Sequence, residues 1–124
     1  MSVQTITDEN FDERVMKNTK DVIIRFTAEW CGWLPPNLLL GEFLKGPCKT
    51  LSPIVSEISD MPEMSNIEFG VLDIDSEPNS GIRPEFSVRG IPSCFYVRAG
   101  KVISSKIGMT SKSDFISWIE SNKA

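Results

Sequence analysis

Three cysteines carry the reactive chemistry of this chain: Cys31, Cys48 and Cys94. Cys31 stands in Trp30-Cys31-Gly32, and Cys48 follows seventeen positions later in Pro47-Cys48-Lys49. Two thiols held close can exchange with a disulfide, one attacking as thiolate and the other resolving the mixed disulfide. Such chemistry is favoured at the start of a helix, where free N–H groups and the dipole stabilise negative charge. Pro47 is well placed in a first turn, so Cys48 is expected there, with Cys31 at the loop end of a strand. The residues leave two states open for this pair, a disulfide or two reduced thiols. A bridge requires the Cα atoms to lie within range, and closing so large a loop would add roughly 3 kcal/mol in the chain-entropy model. Cys94 begins the apolar run Cys94-Phe95-Tyr96-Val97 and reads as core packing. No histidine occurs, which excludes His-based triads and argues against a zinc centre; no cofactor is expected.

The elements that would position these thiols follow from periodicity. Val3 to Ile6 reads as a short strand. Thr7 or Asp8 caps a helix running to about Asn18, with Phe11, Val15 and Met16 turned inward. Asp21 to Thr27 is mostly β-branched and apolar, as a central buried strand requires. From Pro47, Leu51, Ile54, Val55 and Ile58 recur at helical spacing until Met61-Pro62, with Pro53 inside the pattern. Ile67 to Asp75 reads as a strand and Pro78 to Phe86 as a short helix presenting Ile82 and Phe86. Cys94 to Arg98 and Lys101 to Ile107 flank Ala99-Gly100, a connection so short that the two strands pair antiparallel. Ser111 or Ser113 caps a last helix whose core face is Phe115, Ile116, Trp118 and Ile119. This order predicts one α/β domain over residues 1–124, a central mixed β-sheet flanked by helices on both faces.

Composition narrows the class further. The chain has 124 residues, 40% hydrophobic and 24% charged, enough for one domain with one core. Net charge is −4 and there is no run of Lys or Arg, so nucleic acid and anionic membrane surfaces are poor partners. No apolar run is long enough to span a bilayer, and the start Met1-Ser2-Val3-Gln4 does not read as a signal peptide. An odd cysteine count does not make a closed extracellular disulfide framework. A reducing cytoplasm is the expected location.

Removing the fourteen residues Trp33 to Gly46 joins the flanks as Phe26-Thr27-Ala28-Glu29-Trp30-Cys31-Gly32-Pro47-Cys48-Lys49-Thr50-Leu51. This closed-up string resembles the Cys-Gly-Pro-Cys active-site signature of the thioredoxin family. Leu72-Asp73-Ile74-Asp75, Val88-Arg89-Gly90-Ile91-Pro92 and Gly108 extend the resemblance over the rest of the chain. It implies a thioredoxin-like fold and a dithiol–disulfide oxidoreductase in which Cys31 attacks, Cys48 resolves and Pro92, matching a cis-proline, shapes the substrate groove. Three positions depart from the family pattern. Arg25 stands where a buried Asp is common, Val71 where a Lys often accompanies it, and Thr27 where many members have Trp. Arg25 cannot act as a base. Together with the split motif, these departures lead to the expectation that redox activity is lost or impaired.

The interrupting segment is itself unusual. Trp33, Leu34, Leu38, Leu39, Leu40, Phe43 and Leu44 make half of it large and apolar, although it leaves a surface turn. Pro35-Pro36 stiffens its approach, and Asn37 can cap a turn or two of helix, pairing Leu39 with Phe43 and Leu40 with Leu44. The placement between Gly32 and Pro47 resembles a peptide aptamer, in which a thioredoxin scaffold displays a restrained peptide. Restraint at both ends lowers the ordering cost of binding. These seven side chains are accordingly the expected contacts to a protein partner, in helix-in-groove fashion, with self-packing or self-association as the bland alternative. The sequence reading thus favours a display scaffold, with a functional thioredoxin-type oxidoreductase using Cys31 and Cys48 as its alternative.

Overall fold

The computed structural model describes residues 3–28, 47–74, 76, 86, 92–108 and 110–123, with the backbone alone for 47–50. The apolar run starting at Asp21 forms the middle of the sheet. Strand β2 (Asp21–Thr27) pairs in parallel with β3 (Ile67–Asp73) and antiparallel with β4 (Ser93–Arg98). Outside these lie β1 (Val3–Thr5), parallel to β3, and β5 (Lys101–Ile107), antiparallel to β4. The order is β1-β3-β2-β4-β5, a mixed five-stranded sheet as expected.

Alternation along β2 divides the core. Val22, Ile24 and Phe26 face one cluster with Phe11, Val15, Leu72, Phe86, Phe95 and Val97. Ile23 faces the other, together with Phe69, Cys94 and Tyr96. That second face is covered by two helices, α1 (Pro47–Ser59) and α2 (Lys112–Asn122). From α1 come Leu51, Val55 and Ile58, and from α2 Phe115 and Ile119, all at the 3–4 spacing that makes one stripe. Pro53 lies within α1 without ending it. Ser111 is the cap of α2, its hydroxyl accepting from the Asp114 N–H at 3.2 Å. Trp118 packs edge-on against Tyr96 and Phe115 and donates from Nε1 to Ser104 Oγ at 3.0 Å, which fastens α2 to β5.

Three expected elements differ in extent. The first helix shrinks to a π-helical turn, Asp12–Met16, closed by the Lys17 N–H donating to the Asp12 carbonyl at 2.8 Å. Side chains take over at both ends. Thr7 and Asn10 bond each other's backbone N–H reciprocally, and Asn18 Oδ1 accepts from the Lys20 N–H while its amide donates to the Arg14 carbonyl. Phe11 and Val15 are nonetheless buried as expected. The helix begun at Pro47 stops at Ser59, and Pro62–Met64 forms a separate 3₁₀ turn. Strand β3 ends at Asp73, although the Ile74 N–H still donates to the Thr27 carbonyl at 2.8 Å. The expected helix from Pro78 lies outside the described residues except for Phe86, which is buried among Phe11, Phe26 and Phe95.

Candidate functional site

The path of the chain fixes which end of the sheet matters. Strand β2 ends at Thr27, and β3 begins at Ile67 beside Asp21 at the opposite end. Between them α1 must therefore return from the Thr27 end to the Asp21 end. Its amino terminus, Pro47 and Cys48, lies over the carboxyl end of β2, where open α/β sheets place their ligands.

Pro92 is at that same edge. It precedes Ser93, which pairs with Phe26, and it is buried. Its carbonyl accepts from the Gly108 N–H at 2.8 Å, so the β4–β5 ladder continues one step past β5 and fixes the proline's position. Gly108 has φ +91°, a left-handed conformation that side chains avoid, which accounts for glycine there. The backbone thus brings Pro92 and the first turn of α1, with Cys48, to one end of the fold. Cys31, Trp33, Leu34, Leu38, Leu39, Leu40, Phe43 and Leu44 lie outside the described residues, as does all of 29–46.

One row of residues crosses the sheet beneath α1, on the face that Ile23 shares. Val71, Arg25, Cys94 and Lys106 are register partners in succession from β3 to β5. Arg25 is 6% exposed, and its Nε is buried with no hydrogen-bond partner among the described residues. Burial draws the guanidinium below its ordinary range, the neighbouring Cys94 acting in the other direction. Burial pushes the Cys94 thiol up to about 12, against the pull of Arg25 and Lys106. At neutral pH Cys94 is therefore a protonated thiol within the core, as its apolar surroundings in the sequence imply. The sequence named Arg25 as a departure but gave no sign that Cys94 and Lys106 stand in line with it. That alignment depends on strand register across long separations. Among the described residues no group of three or more His, Cys, Asp or Glu could hold a metal ion. No helix among them is long and apolar enough to cross a membrane.

A mixed sheet in the order β1-β3-β2-β4-β5, covered by α1 and α2 and edged by a buried proline, defines the thioredoxin-like class of α/β folds. The thioredoxin family model matches residues 2–34 and 44–121. A thioredoxin of Acidithiobacillus ferridurans is 32% identical over 116 residues, covering 94% of this chain and 92% of that protein. One from Allochromatium vinosum is 31% identical over 121 residues, covering 98% and 97%. The crystal structure of Malassezia sympodialis thioredoxin superposes with a TM-score of 0.77 at 27% identity, covering 99% of this chain and 92% of that one. The chain belongs to the thioredoxin family.

Proposed function

We propose that the protein is a thioredoxin-type protein dithiol–disulfide oxidoreductase that cycles Cys31 and Cys48 between dithiol and disulfide. The observation that carries this reading is the position of Cys48, the second residue of a helix that opens at the same sheet edge as buried Pro92. Family membership over almost the whole chain supports it, since the relatives named above are thioredoxins matched on both sides of the interruption. Reduction of a substrate disulfide transfers two electrons from the dithiol, and an external dithiol restores them. On this reading, retained exchange takes the place of the expectation that Arg25, Val71, Thr27 and the split motif leave redox activity lost or impaired.

The test is reduction of insulin disulfides driven by dithiothreitol. The native chain should accelerate it, and Cys31→Ser and Cys48→Ser should each lose the acceleration. A Cys48→Ser variant as active as the native chain would sink the reading.

Display is a second reading, favoured by a specific feature: the family match leaves out residues 35–43, at the heart of the apolar segment. On this reading Trp33, Leu34, Leu38, Leu39, Leu40, Phe43 and Leu44 contact a protein partner or a second copy. Replacing Trp33, Phe43 and Leu44 together by Ala should then abolish any association detected by sedimentation or capture. An unchanged association profile would count against it.

A further inference from the structure

The end of the sheet away from Pro92 holds a cavity that the redox chemistry leaves unused. Its volume is about 390 Å³, and its lining is Thr19, Lys20, Asp21, Asn66, Ile67 and Lys123. Thr19 and Lys20 lead into β2, Asn66 precedes β3, and Lys123 follows α2, so three distant stretches of chain meet there. Ile67 is buried and supplies the apolar part. Asp21 is the one carboxylate among these lining residues, and it is already engaged. The Tyr96 hydroxyl and Arg98 Nε and Nη2 all donate to it.

The rest of the polar lining can donate. The Thr19 hydroxyl, the Lys20 ammonium and the Asn66 amide have no side-chain partner among the described residues. Lys123 Nζ donates to the Glu63 carbonyl at 3.1 Å and pairs with Glu120 at 3.2 Å, which holds the ammonium in place beside the cavity. An ammonium has three donors, so one is left over. Arg98 offsets the charge of Asp21, and Lys20 and Lys123 then make the cavity locally positive in a chain of net charge −4. Glu120 is the acid that works against this. Two ammonium groups with a hydroxyl and an amide suit a dianion with tetrahedrally arranged oxygens better than a planar carboxylate.

We propose that this cavity binds a phosphate group, either the free ion or one carried on a small molecule. The site stands at the Asp21 end of β2, remote from the Thr27 end where Pro92 lies, and it does not depend on the oxidoreductase reading.

The experiment titrates inorganic phosphate into the isotope-labelled full chain at constant pH and ionic strength, with chloride as the balancing anion, and follows the amide resonances. Those of Thr19, Lys20, Asn66 and Lys123 should move together along one saturating curve while those of Ser93 and Gly108 stay in place. Lys20→Met and Asn66→Ala should each weaken binding by about tenfold, as losing a hydrogen bond to a charged group does. Glu120→Gln should tighten it by about twofold to fivefold, because the competing acid is gone. Glycerol phosphate in place of the inorganic ion separates the two sources. Tighter binding by the ester assigns a phosphorylated small molecule, and equal or weaker binding assigns the free ion. Unsaturable shifts shared equally with Lys17, Lys101 and Lys106 overturn the proposal, since they report screening of surface charge alone. A titration unchanged in folded Lys20→Met and Asn66→Ala variants overturns it as well.

Discussion

Arg25 stands in β2 among the buried apolar side chains of Val22, Ile23, Ile24 and Phe26, and its cost should be measurable in the fold itself. Replacing a buried, poorly satisfied charge by an apolar side chain of similar length is commonly neutral or stabilising. Arg25→Met should therefore raise unfolding stability by about 1–2 kcal/mol in urea denaturation. A loss of stability there would mean that Arg25 has a stabilising partner in the folded chain. Cys94 is a residue whose place is legible from its neighbours in the chain. The apolar run that it opens puts it in the core, and it is 3% exposed. Arg25 is less legible, because an arginine within an apolar run says nothing about which side chains it meets. Cys94 and Lys106 become its neighbours only through the pairing of three strands.

The hairpin of β4 and β5 shows how far an element can be read. Ala99 has φ +53° and Gly100 φ +78°, the left-handed pair that a two-residue turn needs to follow the twist of its strands. A Cβ at position 100 would meet the Met16 carbonyl oxygen at 2.7 Å as well as suffer the unfavourable φ. Gly100→Ala should therefore destabilise the protein by about 1–2 kcal/mol, combining left-handed backbone strain with the contact. Ala99→Gly should relieve rather than add strain, and thermal unfolding of both variants checks the pair. The bounds of β2 and β5 were legible because β2 is a dense apolar run and β5 is set off by the Ala99-Gly100 turn and by Gly108. The first helix was not, because its ends are set by Asn10 and Asn18 bonding the backbone in place of further helical turns. Side-chain competition of this kind has no periodicity to betray it. Likewise the end of β3 depends on how far β2 extends beside it, and Thr27 is its last partner.

At the scale of the molecule, two apolar clusters sandwich the sheet, and a polar lock ties its Asp21 end to α2. Asp21 accepts from the Tyr96 hydroxyl at 2.5 Å and from Arg98 Nε and Nη2 at 3.1 and 2.9 Å. Arg98 Nη2 also donates to the Asn122 carbonyl at 2.6 Å. The Arg98 hydrogen bonds outweigh burial and hold the Asp21 carboxyl below its ordinary range, with Tyr96 helping. Because the folded value is the lower one, the stabilisation is complete above the unfolded carboxylate value and disappears as pH falls through the folded value. Asp21→Asn should lower the melting temperature at neutral pH and show a smaller further loss on acidification than the native chain. Parallel acid profiles would remove Asp21 from the account. The mixed sheet with helices on its α1 and α2 face was legible from element order alone, while the Cys31 side of the split motif lies outside the described residues. The most direct measurement compares dithiothreitol-driven insulin reduction by the native chain with that by a version lacking residues 33–46. Retained exchange predicts turnover by both at similar rates. Turnover by the shortened version alone would contradict it, leaving the apolar segment as the replacement of an active site.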